Sequence, residues 1–267
     1  MSAAAEHLAE PQQPVLRADA DGIATLTLNR PAQYNTLSHA TIEALSAALA
    51  AIAADDRVRV VVIASTGRAF STGHDMKEMR ANRDEAFYRR LLADCSAMMQ
   101  SIVALPQPVI AKVQGIATAA GCQLVASCDL AVAAASARFA TSGINYGLFC
   151  ATPAVALSRN VARKHALEML FTGDFIDAET ASRIGLVNRA VDDAVLDAEV
   201  DALARRIADK SSYAIRLGKA SFYAQADQPL DGAYRCASAD LVRNLLAADG
   251  IEGVDAFFEK REPRYDR

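Results

Sequence analysis

The hydrophobic positions along the chain change period several times, and each change marks an element. "VLRADADGIATLTLN", residues 15–29, alternates apolar and polar about Asp21-Gly22, which predicts a β-hairpin with a tight turn. In "SHATIEALSAALAAIAADD", Ile42, Leu45, Leu49 and Ile52 recur at helical spacing behind Ser38, a natural N-cap. "VRVVVIAS", 58–65, is apolar on both faces, as in a parallel strand covered on both sides. A loop over 66–76 and a helix from Asp84 to Leu105 follow. Residues 108–113 form a second buried strand, and Ala119–Ser127 reads as a buried helix. "DLAVAAAS" and "ARFAT" are further short strands. Thr152-Pro153 predicts a helix start as N-cap and first helical residue. "DAETASRIG" reads as a short helix closed by Gly185, and "LVNRAV" as a last strand. Beyond residue 193 the pattern is helical only, over 193–209, 211–225, 230–247 and 251–261.

This order predicts an α/β fold: a disordered tail over 1–14, an α/β core over 15–192 and a helical region over 193–267. The helical stripes exceed what one core covers, which points to self-association. With 267 residues, 52% of them hydrophobic, the chain has enough material for an extensive core. A net charge of −4 does not suggest a nucleic-acid surface. Charged residues interrupt each apolar run before the roughly 18 residues a bilayer span needs, so no membrane insertion is expected. The first residues, "MSAAAEHLAEPQQP", lack both the basic-apolar pattern of a signal peptide and the Arg-rich character of a transit peptide. The five cysteines have no CxxC spacing, which fits a reducing compartment better than a disulfide framework or a zinc site. Together these features predict the cytoplasm.

Several standard chemistries fail on spacing. No GxGxxG follows a strand, and no GxSxG or HExxH occurs. "GRAFSTG" has five residues between its glycines where a phosphate loop has four, and His-Asp follows it. Two segments remain. "AFSTGHDMKEM", 69–79, lies just past the strand 58–65, where open α/β sheets bind ligands. "QGIATAAGCQL", 114–124, opens a helix with small residues, leaving N–H groups open to a ligand. Taken singly, each reads as an ordinary connection, with Asp75 a helix cap in the first and close packing in the second. Taken together, they supply two N–H groups that one oxygen can accept, an arrangement suited to a thioester carbonyl becoming an enolate.

These segments resemble those of the enoyl-CoA hydratase/isomerase (crotonase) family, with the match running over roughly 15–263. "LNRPAQYNTLS" is similar to its first CoA-binding segment. "AFSTGHDMKEM" and "VQGIATAAGCQLVASCDLAVA" are similar to its two oxyanion loops, and "LEMLFTGDFIDAETASRIGLVNRAV" and "GVDAFFEKREP" to its later signatures. The resemblance implies a spiral of repeated ββα turns, a C-terminal helical trimerisation region, and a homotrimer or dimer of trimers. It implies an acyl-CoA substrate that brings its own coenzyme A, with no separate cofactor and no metal.

By position, the oxyanion N–H groups belong to His74 and Ala120. The resemblance places Gln33, Tyr34, Arg68, Thr72, Gly73, Asp75, Met76 and Lys77 along the CoA path. Ala119, Ser142 and Tyr146 are implied as further CoA-binding positions, and Lys260 falls where a C-terminal lysine reaches CoA phosphates across a subunit boundary. The family's hydratases use two glutamates. Their positions here are Gln123 and Gly143, and neither can transfer a proton at neutral pH. The resemblance therefore implies a hydratase by family whose hydration is weak or absent. The alternatives are acyl-CoA hydrolysis, decarboxylation or isomerisation, and acyl-CoA binding without turnover. If the missing carboxylates alone limit the site, Gln123→Glu with Gly143→Glu is expected to raise hydration, provided that the pocket tolerates both.

Overall fold

In the computed structural model, residues 13–265 are described. The chain opens with a hairpin, β1 (Val15–Ala20) and β2 (Ile23–Leu28). Asp21 and Gly22 take φ of 52° and 77°, the pair of positive values that a two-residue type I′ turn requires. Helix α1 (His39–Ala53) buries Ile42, Leu45, Leu49 and Ile52, and the Ser38 side chain accepts from the Thr41 N–H as its cap. Next come β3 (Val60–Ser65), β4 (Ala69–Ser71), α2 (Met76–Ala81) and α3 (Glu85–Ala104). The pattern repeats in β5 (Val109–Val113), β6 (Ile116–Thr118) and α4 (Ala120–Ser127). It repeats again in β7 (Leu130–Ala134), β8 (Arg138–Ala140) and α5 (Ala151–Asn160). Then follow α6 (Arg163–Thr172), β9 (Ile176–Asp177), α7 (Ala178–Arg183) and β10 (Arg189–Val191). Helices α8 (Leu196–Ala208), α9 (Ser212–Ala226), α10 (Leu230–Leu246) and α11 (Ala248–Glu259) end the chain.

Past the β1–β2 hairpin, both strands of which lie in the larger sheet, each ββα turn gives one strand to each of two sheets. The larger has the order β1-β2-β3-β5-β7-β10 and the smaller β4-β6-β8-β9. Apart from the β1–β2 and β8–β9 pairs, all pairings are parallel. This is the expected α/β spiral of ββα turns with a C-terminal helical region. The main core includes Leu26, Ile63, Phe70, Val113, Leu124 and Phe139. A second core on the other face of the large sheet joins Val60, Val62, Ile110 and Val132 to Leu196, Val200 and Ala204 of α8. Strand β3 is therefore buried on both sides, as its unbroken apolar run requires.

Several local expectations need correction. The 66–76 loop contains β4, and β6 precedes α4; three-residue strands are too short to show a period. Helix α2 and helix α6 are additional. Only Ala166, Met169 and Leu170 of α6 are buried, which makes a thin stripe. Its readable mark is Gly173, in the left-handed region at the helix end. Helix α5 starts ahead of Thr152-Pro153, with Cys150 as an N-cap that makes no side-chain bond. Pro153 fits there because N–H groups of a first turn have no intrahelical acceptor anyway.

Candidate functional site

Three loops meet at the ends of β4, β6 and β8. The first, around Gly73-His74, is stitched to the segment before α1. The Leu37 N–H donates to the Gly73 carbonyl at 2.8 Å and the Ser71 hydroxyl to the Asn35 carbonyl at 2.8 Å. The Asn35 side chain, fully buried, donates to the carbonyls of Thr66 and Ala69, both at 2.8 Å, and accepts the Arg30 N–H at 2.8 Å. Asn35 and Ser71 thus build the first loop, yet neither was singled out from the sequence. The available signal was an Asn that tolerates the left-handed region, here at φ 53°, while bonding to backbone.

The second loop is the start of α4. A Cβ built on Gly73 would lie 2.9 Å from the Ala120 nitrogen and 3.0 Å from the Ala119 Cβ. One on Gly121 would lie 2.1 Å from the Ser71 carbonyl oxygen. These two glycines bring the loops together, and the closeness puts the His74 and Ala120 backbones side by side. Among the described residues, neither of their N–H groups donates to a protein acceptor. Ala119 has φ 51° and ψ −122°, a strained combination for a residue with a side chain. Its backbone turn aims the α4 N-terminus at the first loop. Relief of that strain, about 1–3 kcal/mol, exceeds the roughly 0.5–1 kcal/mol of chain entropy a glycine adds. Ala119→Gly is therefore expected to stabilise the protein by about 1 kcal/mol in urea unfolding, and a destabilised variant would contradict the strain.

The third loop holds Gly143. The Ala119 N–H donates to the Ala140 carbonyl at 3.0 Å, and the Thr118 and Ser142 hydroxyls pair at 2.8 Å, so this loop abuts the second. A Cβ on Gly143 would fall 2.5 Å from the Leu148 carbonyl oxygen and 2.9 Å from the Cys150 Sγ. The space that a side chain at 143 would cross is already filled, so Gly143→Glu is not accommodated. The condition on restoring both glutamates, that the pocket tolerates them, therefore fails at residue 143. Gly143→Ala is expected to cost about 1–3 kcal/mol by overpacking, read as a lowered Tm. An unchanged Tm would show that the Leu148 loop yields freely.

The titratable groups here are mostly neutral or already engaged. Burial pushes the Cys150 thiol up from its ordinary value, against the Gly143 N–H that favours the thiolate, so it is no ready nucleophile. Burial drives Cys122, on α4, to about 12. Asp75 accepts from the Lys77 and Glu78 N–H groups at 3.0 and 3.3 Å as the cap of α2, and from Thr36 Oγ1 at 3.1 Å. Glu78 accepts the His39 N–H at 3.0 Å. The Gln123 side chain is 4% exposed, and its Oε1 has no partner among the described residues.

The other expected positions separate into groups. Gln33 and Tyr34 end a short helical turn over Pro31–Gln33, with Tyr34 left-handed at φ 52°. The Arg68 guanidinium lies 4.7 Å above the Tyr34 ring centroid and donates to its hydroxyl. Thr72 donates its N–H to the Tyr34 carbonyl at 3.2 Å, and Met76 and Lys77 are exposed on the first turn of α2. Tyr146 is 78% exposed and makes no wall beside Gly143. Lys260 is exposed at the C-terminal cap of α11, outside the three loops.

The enoyl-CoA hydratase/isomerase family model matches residues 18–267. The chain belongs to this family. Rat enoyl-CoA hydratase domain-containing protein 3, mitochondrial, is 46% identical over 243 residues, covering 91% of this chain and 81% of the rat protein. A crystal structure of an enoyl-CoA hydratase from Mycobacterium smegmatis superposes with a TM-score of 0.93 at 51% identity, covering 94% of this chain and 98% of that one. The structure of human enoyl-CoA hydratase domain-containing protein 3 gives 0.92 at 45% identity, covering 94% and 100%. The mitochondrial designation of the rat relative, shared by its human counterpart, overturns the expected cytoplasmic location. That expectation used free thiols, which any reducing compartment preserves, and an N-terminal segment largely outside the described residues.

Proposed function

We propose that the chain binds an acyl-CoA thioester whose carbonyl oxygen accepts the His74 and Ala120 N–H groups, and that it does not hydrate enoyl-CoA at an ordinary hydratase rate. The carrying observation is the pair of unengaged N–H groups held together by Gly73 and Gly121. Two such donors stabilise an enolate or tetrahedral oxyanion whatever follows. Gln123 and Gly143 bring no carboxylate, and the Gly143 side is closed by Leu148 and Cys150. In this reading, Tyr34 and Arg68 with the Thr72–Lys77 segment meet the nucleotide end of CoA.

The same reading assigns the C-terminal helices to self-association as a homotrimer or dimer of trimers. Its support is the apolar surface of α9 to α11: Phe222, Leu230, Tyr234, Leu246, Phe257 and Phe258 are each 62–78% exposed. Large apolar side chains left open in this number on consecutive helices are what an association surface requires.

Titration calorimetry with butyryl-CoA and with free CoA tests the site. The expected result is micromolar affinity, stronger for the thioester. No binding of either would end the proposal. Sedimentation at micromolar concentration tests the assembly, and a monomer would end that part.

A further inference from the structure

We propose that the His74 imidazole is the proton acceptor of this site, placed to take a proton from the α-carbon of a bound acyl thioester. The inference rests on the thioester reading above and adds a residue that acts in the absence of the two carboxylates.

The geometry begins with the ring. Its Nδ1 lies 3.4 Å from the Leu37 carbonyl oxygen. A carbonyl oxygen only accepts, so Nδ1 carries the proton and Nε2 keeps a bare lone pair. Among the described residues, that Nε2 is buried and has no partner. A buried acceptor without a protein donor is costly to keep, and a bound ligand can relieve that cost.

The position of the ring matters as much. His74 supplies one of the two N–H groups of the oxyanion pair, so its side chain is tethered within a few bonds of the oxygen they hold.

A second orphan points to the same place. Gln123 follows Ala120 by one helical turn on α4, and helical side chains lean back over the preceding turn. Its amide therefore lies above the Ala119–Ala120 end of the helix. Its Oε1, buried to all but 4% of the residue's surface, also lacks a donor. The two orphan acceptors thus belong to the same two segments that carry the N–H pair, a set of groups complementary to a polarised carbonyl with an acidified neighbour.

Protonation also fits. Burial holds the imidazole below its ordinary value; the Leu37 carbonyl, on the segment before α1, and the Glu78 carboxylate, on α2, pull the other way without reversing it. The ring is neutral at pH 7, the form in which it can accept a proton.

The step balances within the complex. The α-carbon–hydrogen bond breaks and an N–H bond forms at Nε2. The electron pair moves into the thioester to give an enolate, whose oxygen accepts the His74 and Ala120 N–H groups. Reversal returns that proton or a solvent deuteron.

The test is exchange of the α-protons of butyryl-CoA in deuterated buffer, followed by proton NMR with the full-length protein. Wild type is expected to exchange them. His74→Gln keeps the backbone N–H and is expected to exchange about 10²-fold or more slowly, with butyryl-CoA affinity altered less than about threefold. The wild-type rate should be level from pH 7 to 9 and fall as pH drops through a value below about 6.5. That profile decides the question even if His74→Gln fails to fold. Exchange by His74→Gln at the wild-type rate, a rate still climbing above pH 8, or butyryl-CoA binding without exchange would each overturn the proposal. Absence of binding overturns instead the thioester reading beneath it.

Discussion

Purified protein is expected to hydrate crotonyl-CoA at least about 10⁴-fold more slowly than a site carrying both glutamates. A positioned acid or base contributes roughly 10²–10⁴-fold, and hydration needs one group to activate water and another to deliver a proton. Taking the lower figure for each of the two groups gives about 10⁴-fold for the pair. About 10⁴-fold corresponds to roughly 5.5 kcal/mol of transition-state stabilisation. The oxyanion pair cannot make this up, since it holds the carbonyl oxygen and moves no proton. Loss of enoyl absorbance measures the rate directly. Turnover at ordinary hydratase rates would sink the argument. Gln123→Glu alone returns one carboxylate to a buried position and is expected to recover only part of the loss. The second position is closed to any side chain, because its first carbon would already meet the Leu148 carbonyl.

Lys219→Met is expected to destabilise the fold by about 3–5 kcal/mol, the penalty for leaving one member of a buried pair alone. Lys219 Nζ donates to Asp129 Oδ2 at 2.7 Å and to the carbonyls of Ile102 and Gln107, both at 3.0 Å. Asp129 also accepts the Val109 N–H at 2.7 Å and the Tyr223 hydroxyl at 2.9 Å. The side chains are 8% and 15% exposed. Burial lowers the Lys219 pKa despite its partner, so desolvation outweighs the attraction on the lysine's side. Burial likewise raises Tyr223, with the Asp129 charge adding to it. The cluster therefore contributes more by fixing α9 to the core than by ion pairing. Urea unfolding of Lys219→Met, Asp129→Asn and the double variant checks this. The double variant should be less damaged than the sum of the singles. Strict additivity would show that the groups do not depend on one another.

How legible this was differs by length scale. The hairpin, α1, β3, α3 and the helical tail could be read because each is long enough to show its period and carries its own punctuation: Asp21-Gly22, Ser38, Asp84. Most of the stacked second sheet could not, since β4 and β6 have three residues each and are made by their neighbours; β8, within "ARFAT", is the member that could be read. At the site, small residues marked the two loops that the fold brings together, and resemblance marked Gln123 and Gly143. The sequence did not show Asn35 and Ser71 joining the first loop to α1, nor the strain at Ala119. It also missed that Gly143 is glycine because Leu148 and Cys150 leave no room. Those facts depend on residues distant in the chain, and spacing along one segment carries no trace of them.

The sheet order has a consequence for how the chain is made. Because β2, β3, β5, β7 and β10 neighbour one another in the order in which they leave the ribosome, each new turn finds its template already extruded. Growth can proceed as successive additions, with no wait for a distant partner strand. The site matures later than the scaffold under it. Its first loop emerges by residue 74, but the Ala120 N–H and the Gly143 loop follow one and two turns afterwards. A nascent chain that has cleared the ribosome through β8 would thus hold three stacked strand pairs, with the C-terminal helices still to come.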